Sequence, residues 1–142
     1  MVEMRVEGIG RDASGEAHFL VMRERGGDRR LVLEIGAFEA AMIALAVGGR
    51  PAPRPLTHDL LLQAVTRLGG QVERALIHDV RDRTFIGALE IGSERGLLEL
   101  DCRPSDGVAV AVRAQAPIFA ADQVLEAAGL VAGTEPPTDP ID

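Results

Sequence analysis

Apolar and polar residues alternate over residues 2–9 (VEMRVEGI), the two-residue period of a strand with one covered face. The same period returns in AHFLVMRE (17–24) and RRLVLEI (29–35), which flank the turn-like RGGD and predict a hairpin. After Gly36 the pattern changes. AFEAAMIALAV (37–47) is apolar nearly all round and stops at Gly48-Gly49, so it predicts a helix covered on several sides, either centrally or in a subunit interface. Pro51, Pro53 and Pro55 alternate through the next connection and stiffen it into an extended path. Thr57 is then expected to cap a helix over HDLLLQAVTRLGG. Its inward face would hold Leu60, Leu61, Ala64, Val65 and Leu68, with Asp59 on the polar side and His58 at the edge.

Three further strands are predicted: QVERALIHDV (71–80), RTFIGALEIG (83–92) and GLLELDC (96–102). An apolar helix follows over about 106–114, and DQVLEAAGL (122–130) closes the pattern as a short amphipathic helix. The order is three strands, helix, helix, three strands, helix, helix. LVLEIGAFEAAMIALA and LLELDCRPSDGVAVAV share a plan in which an apolar strand passes through a short acidic junction into an apolar helix. The expected fold is therefore α+β, a single domain over 1–130 with a mixed sheet and an apparent internal repeat. Residues 131–142 (VAGTEPPTDPID) replace periodicity with proline and acids and read as a disordered tail.

Charge and composition narrow the function classes. The net charge is −7, of which Glu135, Asp139 and Asp142 supply −3, leaving −4 for the remainder. A nonspecific DNA-coating role needs clustered cations and is disfavoured. Four Phe, with no Trp or Tyr, disfavour a base-stacking platform. All fifteen basic residues are Arg, the side chain suited to bidentate phosphate contacts. The single Cys102 excludes an intrachain disulfide and a Cys-x-x-Cys metal site, and reads as a small core hydrophobe. No leader pattern and no apolar run of about 20 residues is present, so the expected address is the cytoplasm with no membrane contact.

Candidate chemistry gathers at the predicted helix starts. In DCRPSDG (101–107), Ser105 is a sound N-cap, Asp106 suits the first turn and Pro104 stops the strand. Asp101 and Arg103 are left over. They form an ion pair, Asp101 with Arg103 or Arg113, or else Asp101 and Asp106 converge on Mg²⁺ or Mn²⁺ while Arg103 balances phosphoryl charge. His58, in THD, is either a partly exposed helix-start residue or a general base. His78 with Asp79 is explained by a turn, and His18 by a strand surface. Glu39 is expected to be partly buried and to need Arg50, Arg54 or Arg103 as a partner. No glycine-rich phosphate loop, Gly-x-Ser-x-Gly, His-Glu-x-x-His or EF-hand spacing occurs.

Three segments together, IGAFEAAMIALAVGG, PRPLTHDLL and LDCRPSDGVAVAVRAQAPIF, resemble the bifunctional nuclease domain family over roughly residues 5–130. The family's polar motif positions fall on Glu39, Arg54, Thr57, His58, Asp59, Asp101, Arg103, Ser105 and Asp106. The sequence departs from the pattern at Cys102 and Gly107, where Ala is commoner. The resemblance implies a nuclease of low specificity acting on RNA or DNA. In that reading His58, Asp59, Asp101 and Asp106 carry catalysis, with Asp101, Asp106 and Glu39 on Mg²⁺ or Mn²⁺. Arg54, Arg103 and Ser105 would bind the substrate. The alternative is a non-catalytic binding or assembly module in which the same residues form a structural ion-pair network. The apolar helix 37–47 further suggests a homodimer.

Overall fold

Alternation builds most of the sheet where the sequence predicts it. In the computed structural model, which describes residues 1–131 and 139–141, the strands are β1 (Val2–Arg11), β2 (His18–Glu24), β3 (Arg30–Ile35), β4 (Gln71–Arg81), β5 (Thr84–Ser93), β6 (Gly96–Cys102), β7 (Ile118–Ala120) and β8 (Asp139–Ile141). The helices are α1 (Ala37–Val47), α2 (Thr57–Arg67), α3 (Pro104–Ala114) and α4 (Asp122–Ala128). One mixed sheet runs β3-β2-β1-β7-β4-β5-β6, with β8 paired to β1 beyond β7. Among the described residues only the β4–β7 pair is parallel. The expected α+β domain is present. The expected tail lies largely outside the described residues, apart from the three that pair with β1.

Strand β7 was not predicted. It is three residues long and follows Pro117, too short to display a period. It nevertheless joins the two hairpin units: Val2–Met4 pair with it on one side and Ala75–Ile77 on the other. It also interrupts the second half of the strand–helix order on which the apparent repeat rested.

Helices α1, α2 and α3 share the face of the sheet that carries the core. Leu20, Met22 and Leu31 from the first hairpin, Ile77 and Leu89 from the second, and Ile43 and Val108–Ala111 from the helices form one cluster. Burying a side chain of this size contributes about 1.5–3 kcal/mol. Helix α1 packs on β1, β2 and α3 and buries Ala40, Met42 and Ile43, while Ala37, Phe38, Ala41 and Val47 stay exposed, so the described residues cover its apolar circumference only in part. Helix α2 departs from expectation. It turns His58, Leu62 and Val65 inward and leaves Leu60, Leu61 and Leu68 at 62%, 39% and 87% exposure. Thr57 is its first helical residue rather than its cap; the cap position is Leu56, whose N–H donates to Asp59 Oδ2 at 2.8 Å.

The β6–α3 junction lies tight against β5. A Cβ added at Gly87 would stand 3.0 Å from both Cys102 O and Pro104 N, so only glycine lets this corner close. At Gly107, inside α3, an added Cβ would stand 3.3 Å from Cys102 Sγ. The two departures from the family pattern thus face one another, the smaller residue making room for the larger. Gly107→Ala alone should therefore gain less than the ~1 kcal/mol that helix propensity offers. In a Cys102→Ala background it should gain the whole of it. A urea-denaturation double-mutant cycle in which the two changes add within about 0.5 kcal/mol would contradict this coupling.

Candidate functional site

Three helix first turns meet at one place: Glu39 from α1, His58 and Asp59 from α2, and Asp106 from α3. Each helix start carries partial positive charge, which favours an acid in its first turn. Glu39 folds back over the α1 cap, and a Cβ at Gly36 would meet its Oε1, so the end of the Glu39 side chain would have to swing aside.

Arg103 is the hub. It is the N-cap residue of α3 by backbone conformation. Its Nε donates to Asp106 Oδ2 at 2.8 Å, its Nη2 to Asp106 Oδ1 at 3.1 Å and its Nη1 to Glu39 Oε2 at 3.1 Å. Of the three candidate partners for Glu39, Arg103 is therefore the one used. The Arg103 side chain is still 64% exposed, whereas Glu39 is 18% and Asp106 28% exposed. Behind it, His58 Nε2 lies 3.0 Å from Asp106 Oδ1. The His58 ring is buried and its Nδ1 has no hydrogen-bond partner among the described residues. A proton on Nε2 donating to the carboxylate, with the bare lone pair on Nδ1, leaves the least unmet polarity. His58 thus holds Asp106 from behind and does not face solvent, contrary to its expected place at the helix edge.

Electrostatics follow from these contacts. Burial pushes the Asp106 carboxyl up, but the hydrogen bonds from Arg103 and His58 outweigh it and leave the group below the usual carboxylate range. The same pairing raises the Arg103 guanidinium. Burial, with Asp106 and Asp101 nearby, pushes the Cys102 thiol up to about 11, so it stays protonated and is no nucleophile.

A second lock sits one residue along α2. Arg113 donates from Nε to Asp59 Oδ1 at 2.8 Å, from Nη1 to Ala109 O at 2.9 Å and from Nη2 to Met42 O at 3.1 Å. One guanidinium so ties α2, α3 and α1 together. Asp59 is held below the usual range, first by the Leu56 N–H and then, against burial, by Arg113. The expected Arg113 partner, Asp101, is not used.

Asp101 does not join the cluster. It pairs in register with Ala88, and its neighbour Leu100 pairs with core Leu89, so alternation points Asp101 to the face away from α3. Among the described residues no three His, Cys, Asp or Glu side chains stand close enough to hold a metal ion. The set Asp101, Asp106 and Glu39 does not fit Mg²⁺ or Mn²⁺, because Asp101 faces elsewhere and the Arg103 guanidinium stands between the other two. Ser105 is the second residue of α3 rather than its cap, and is buried. His78 and Asp79 lie within β4 beside a bulge rather than in a turn; Asp79 pairs with Arg81, and the His78 carbonyl accepts from Gln123.

Two grooves flank the cluster. One, of about 620 Å³, is lined by the exposed Arg103, by edges of the buried Pro104 and Ser105, and by Gly36, the turn residue Arg83 and Thr84 at the start of β5. The other, of about 420 Å³, is lined by Arg50, Arg54, Pro55, Asp59, Gln63 and Arg113. The expected phosphate-binding arginines Arg54 and Arg103 therefore lie in different grooves. Arg50 and Arg83, which the sequence did not single out for substrate, each lie beside one of them. No carboxylate pairs with Arg50, Arg54 or Arg83 among the described residues; the only available signal was an arginine in a turn.

Comparison with known proteins adds to this geometry. A family model described as the bifunctional nuclease domain matches residues 20–133. An uncharacterised protein of Mycobacterium tuberculosis is 40% identical over 131 residues, covering 92% of this chain and 78% of its own. A protein named bifunctional nuclease 1 in Oryza sativa subsp. indica is 25% identical over 111 residues, covering 76% of this chain but 34% of the plant protein. A protein named bifunctional nuclease in Oryza minuta matches to the same extent.

Proposed function

The chain belongs to the bifunctional nuclease domain family, and from that premise we propose that it hydrolyses phosphodiester bonds in RNA or DNA, with the Arg103–Asp106–His58 cluster as its centre. The observation that carries this is the exposed Arg103, fixed by Asp106 and Glu39 at the mouth of a groove beside the start of α3. A guanidinium held in advance is placed to meet charge developing on a phosphoryl group. In the proposed step a substrate phosphate competes for Arg103. Asp106 then loses its two arginine hydrogen bonds, its carboxyl rises towards the ordinary range, and it becomes a better base. A water oxygen bonds to phosphorus and passes its proton to Asp106 while the bond to the leaving nucleoside oxygen breaks; that oxygen takes a proton from solvent. His58 and Glu39 act as positioning residues. Arg54, with Arg50, would hold a neighbouring phosphate in the second groove. The single protonated thiol fits the cytoplasmic address we assign to this activity, and no helix among the described residues is long and apolar enough to cross a membrane.

A second reading rests on a specific observation. Asp106, Glu39, Asp59, Arg103 and Arg113 all find partners within the chain, as an assembly module locked by ion pairs would require. Cleavage of labelled single-stranded RNA and DNA separates the two, run with Mg²⁺, with Mn²⁺ and with chelator. The nuclease reading expects cutting by the wild type and at least a hundredfold loss in Arg103→Ala, with a folded protein retained because Arg103 is mostly exposed. Arg103→Lys, lacking the planar fork, should recover only a small part. Absence of cutting under every condition would favour the module.

A further inference from the structure

We infer that Arg83, at the tip of the β4–β5 hairpin, is a substrate-binding residue that holds the phosphodiester next to the one met by Arg103, on the side away from Arg54. The inference rests on the nuclease reading and adds a contact from outside the Arg103 cluster.

The backbone supplies the first observation. Arg81 pairs with Thr84, so the hairpin closes over two residues, Asp82 and Arg83. Both have positive φ, 49° and 67°. A two-residue hairpin calls for a turn of this hand, and Asn-Gly or Asp-Gly ordinarily supplies it. Asp82 suits its place. Arg83 does not, because a Cβ crowds the following carbonyl in the left-handed region and glycine has none. The only other non-glycine residue with positive φ among the described residues is Gln115, which ends α3, where that conformation is usual. The hairpin thus carries an arginine where stereochemistry asks for glycine, and backbone strain of this kind gathers at sites where the side chain is used.

The turn is also firmly mounted. Strand β5 presses on the β6–α3 corner at Gly87, where an added Cβ would stand 3.0 Å from Cys102 O and Pro104 N. That corner carries Arg103, so the two arginines sit on one rigid unit.

Charge supplies the second observation. Arg81, two residues earlier, is neutralised by Asp79, its Nε donating to Oδ2 at 2.9 Å. Arg83 is exposed, has no carboxylate partner among the described residues, and lines the same groove of about 620 Å³ as Arg103. Glu34 and Asp82 line that groove too. They repel further phosphates, so the strand makes one contact here, through the Arg83 fork, before it leaves.

Binding of a short single-stranded phosphorothioate oligonucleotide, which resists cleavage, tests this by fluorescence anisotropy with the full chain between about 50 and 200 mM salt. Arg83→Gly should weaken binding at least fivefold at low salt. It should also reduce the slope of log affinity against log salt by about 0.7, the share of one phosphate contact on a single strand. The same substitution should raise Tm by about 2–5 °C, because glycine takes the turn without strain. Arg83→Ala should lose binding equally with no gain in Tm, and Arg83→Lys should keep the salt slope. On a cleavable strand the loss should fall on KM more than on kcat. Unchanged binding and salt slope in Arg83→Gly overturn the proposal, as does a wild type that fails to bind the oligonucleotide. A wild type that binds through Arg83 but never cuts overturns the nuclease reading and leaves the Arg83 contact standing. A fall in Tm with binding unchanged assigns the side chain to the fold instead.

Discussion

Asp106→Asn is expected to remove measurable cleavage of RNA and DNA while leaving a folded protein. The amide keeps the shape of the carboxylate and can still accept from Arg103 or His58, but it cannot take a proton from water. It also faces a bidentate guanidinium with only one oxygen, and its own N–H groups point at donors. Replacing one charged acceptor in this way costs about 1–3 kcal/mol, or a fall in Tm of very roughly 3–10 °C. A fall in that range together with complete loss of cutting marks Asp106 as a catalytic residue. A fall in Tm with no wild-type cutting to lose marks the network as structural, and equal cutting by both proteins places the activity elsewhere. The pH dependence gives an independent sign. The native carboxyl lies below its unfolded value, so its contribution to stability is complete above pH ~4 and is lost as pH falls through the native value. Wild type and Asp106→Asn should therefore differ most near neutrality and converge in acid. A gap that widens in acid would contradict the assigned pairing.

Arg113→Ala is expected to have the largest effect on stability and little direct effect on chemistry. The side chain is 9% exposed and satisfies three acceptors, on Asp59, Ala109 and Met42. Its truncation leaves two backbone carbonyls and a carboxylate short of donors, and removes an alkyl stem packed among three helices. Asp59 is 33% exposed and regains water, which discounts its share. The expected cost is about 2–4 kcal/mol, read from urea denaturation at constant m. Arg113→Lys should recover less than half, because one ammonium cannot reach three acceptors on separate helices. A loss below about 0.5 kcal/mol would show that the tie between α1, α2 and α3 adds nothing to their packing.

These contacts also show where the sequence was legible. Strands with a two-residue period and helices bounded by Gly-Gly or by the Arg-Pro-Ser corner were found nearly to the residue, because local sterics and burial agree there. The site's membership was half legible: Glu39, His58, Arg103 and Asp106 carry side chains that only a partner would justify in an apolar context. Their pairing was not, since Asp59 finds Arg113 54 positions away and His58 finds Asp106 48 away. Asp101 misled because it neighbours Asp106 in sequence, although Leu100 beside it already implied the opposite face. The inward face of α2 misled for a different reason. A helix is normally assumed to bury its leucines, whereas here His58 and Asp59 join Leu62 and Val65 in holding it, and Leu60, Leu61 and Leu68 point out.

Strand β7 has one more consequence, which concerns how the protein is made. Among the described residues its three residues are the one strand that joins the β1 and β4 units within the sheet, and they come late in the chain. During synthesis both hairpin units leave the ribosome before the strand that seals them. Until residue 120 emerges, Met4 and Ala75 have no Ile118 to sit beside, and two sheet edges stay open. A ribosome stalled just short of β7 would hold a nascent chain with both halves formed and unjoined, the state in which chaperones would find this protein most exposed.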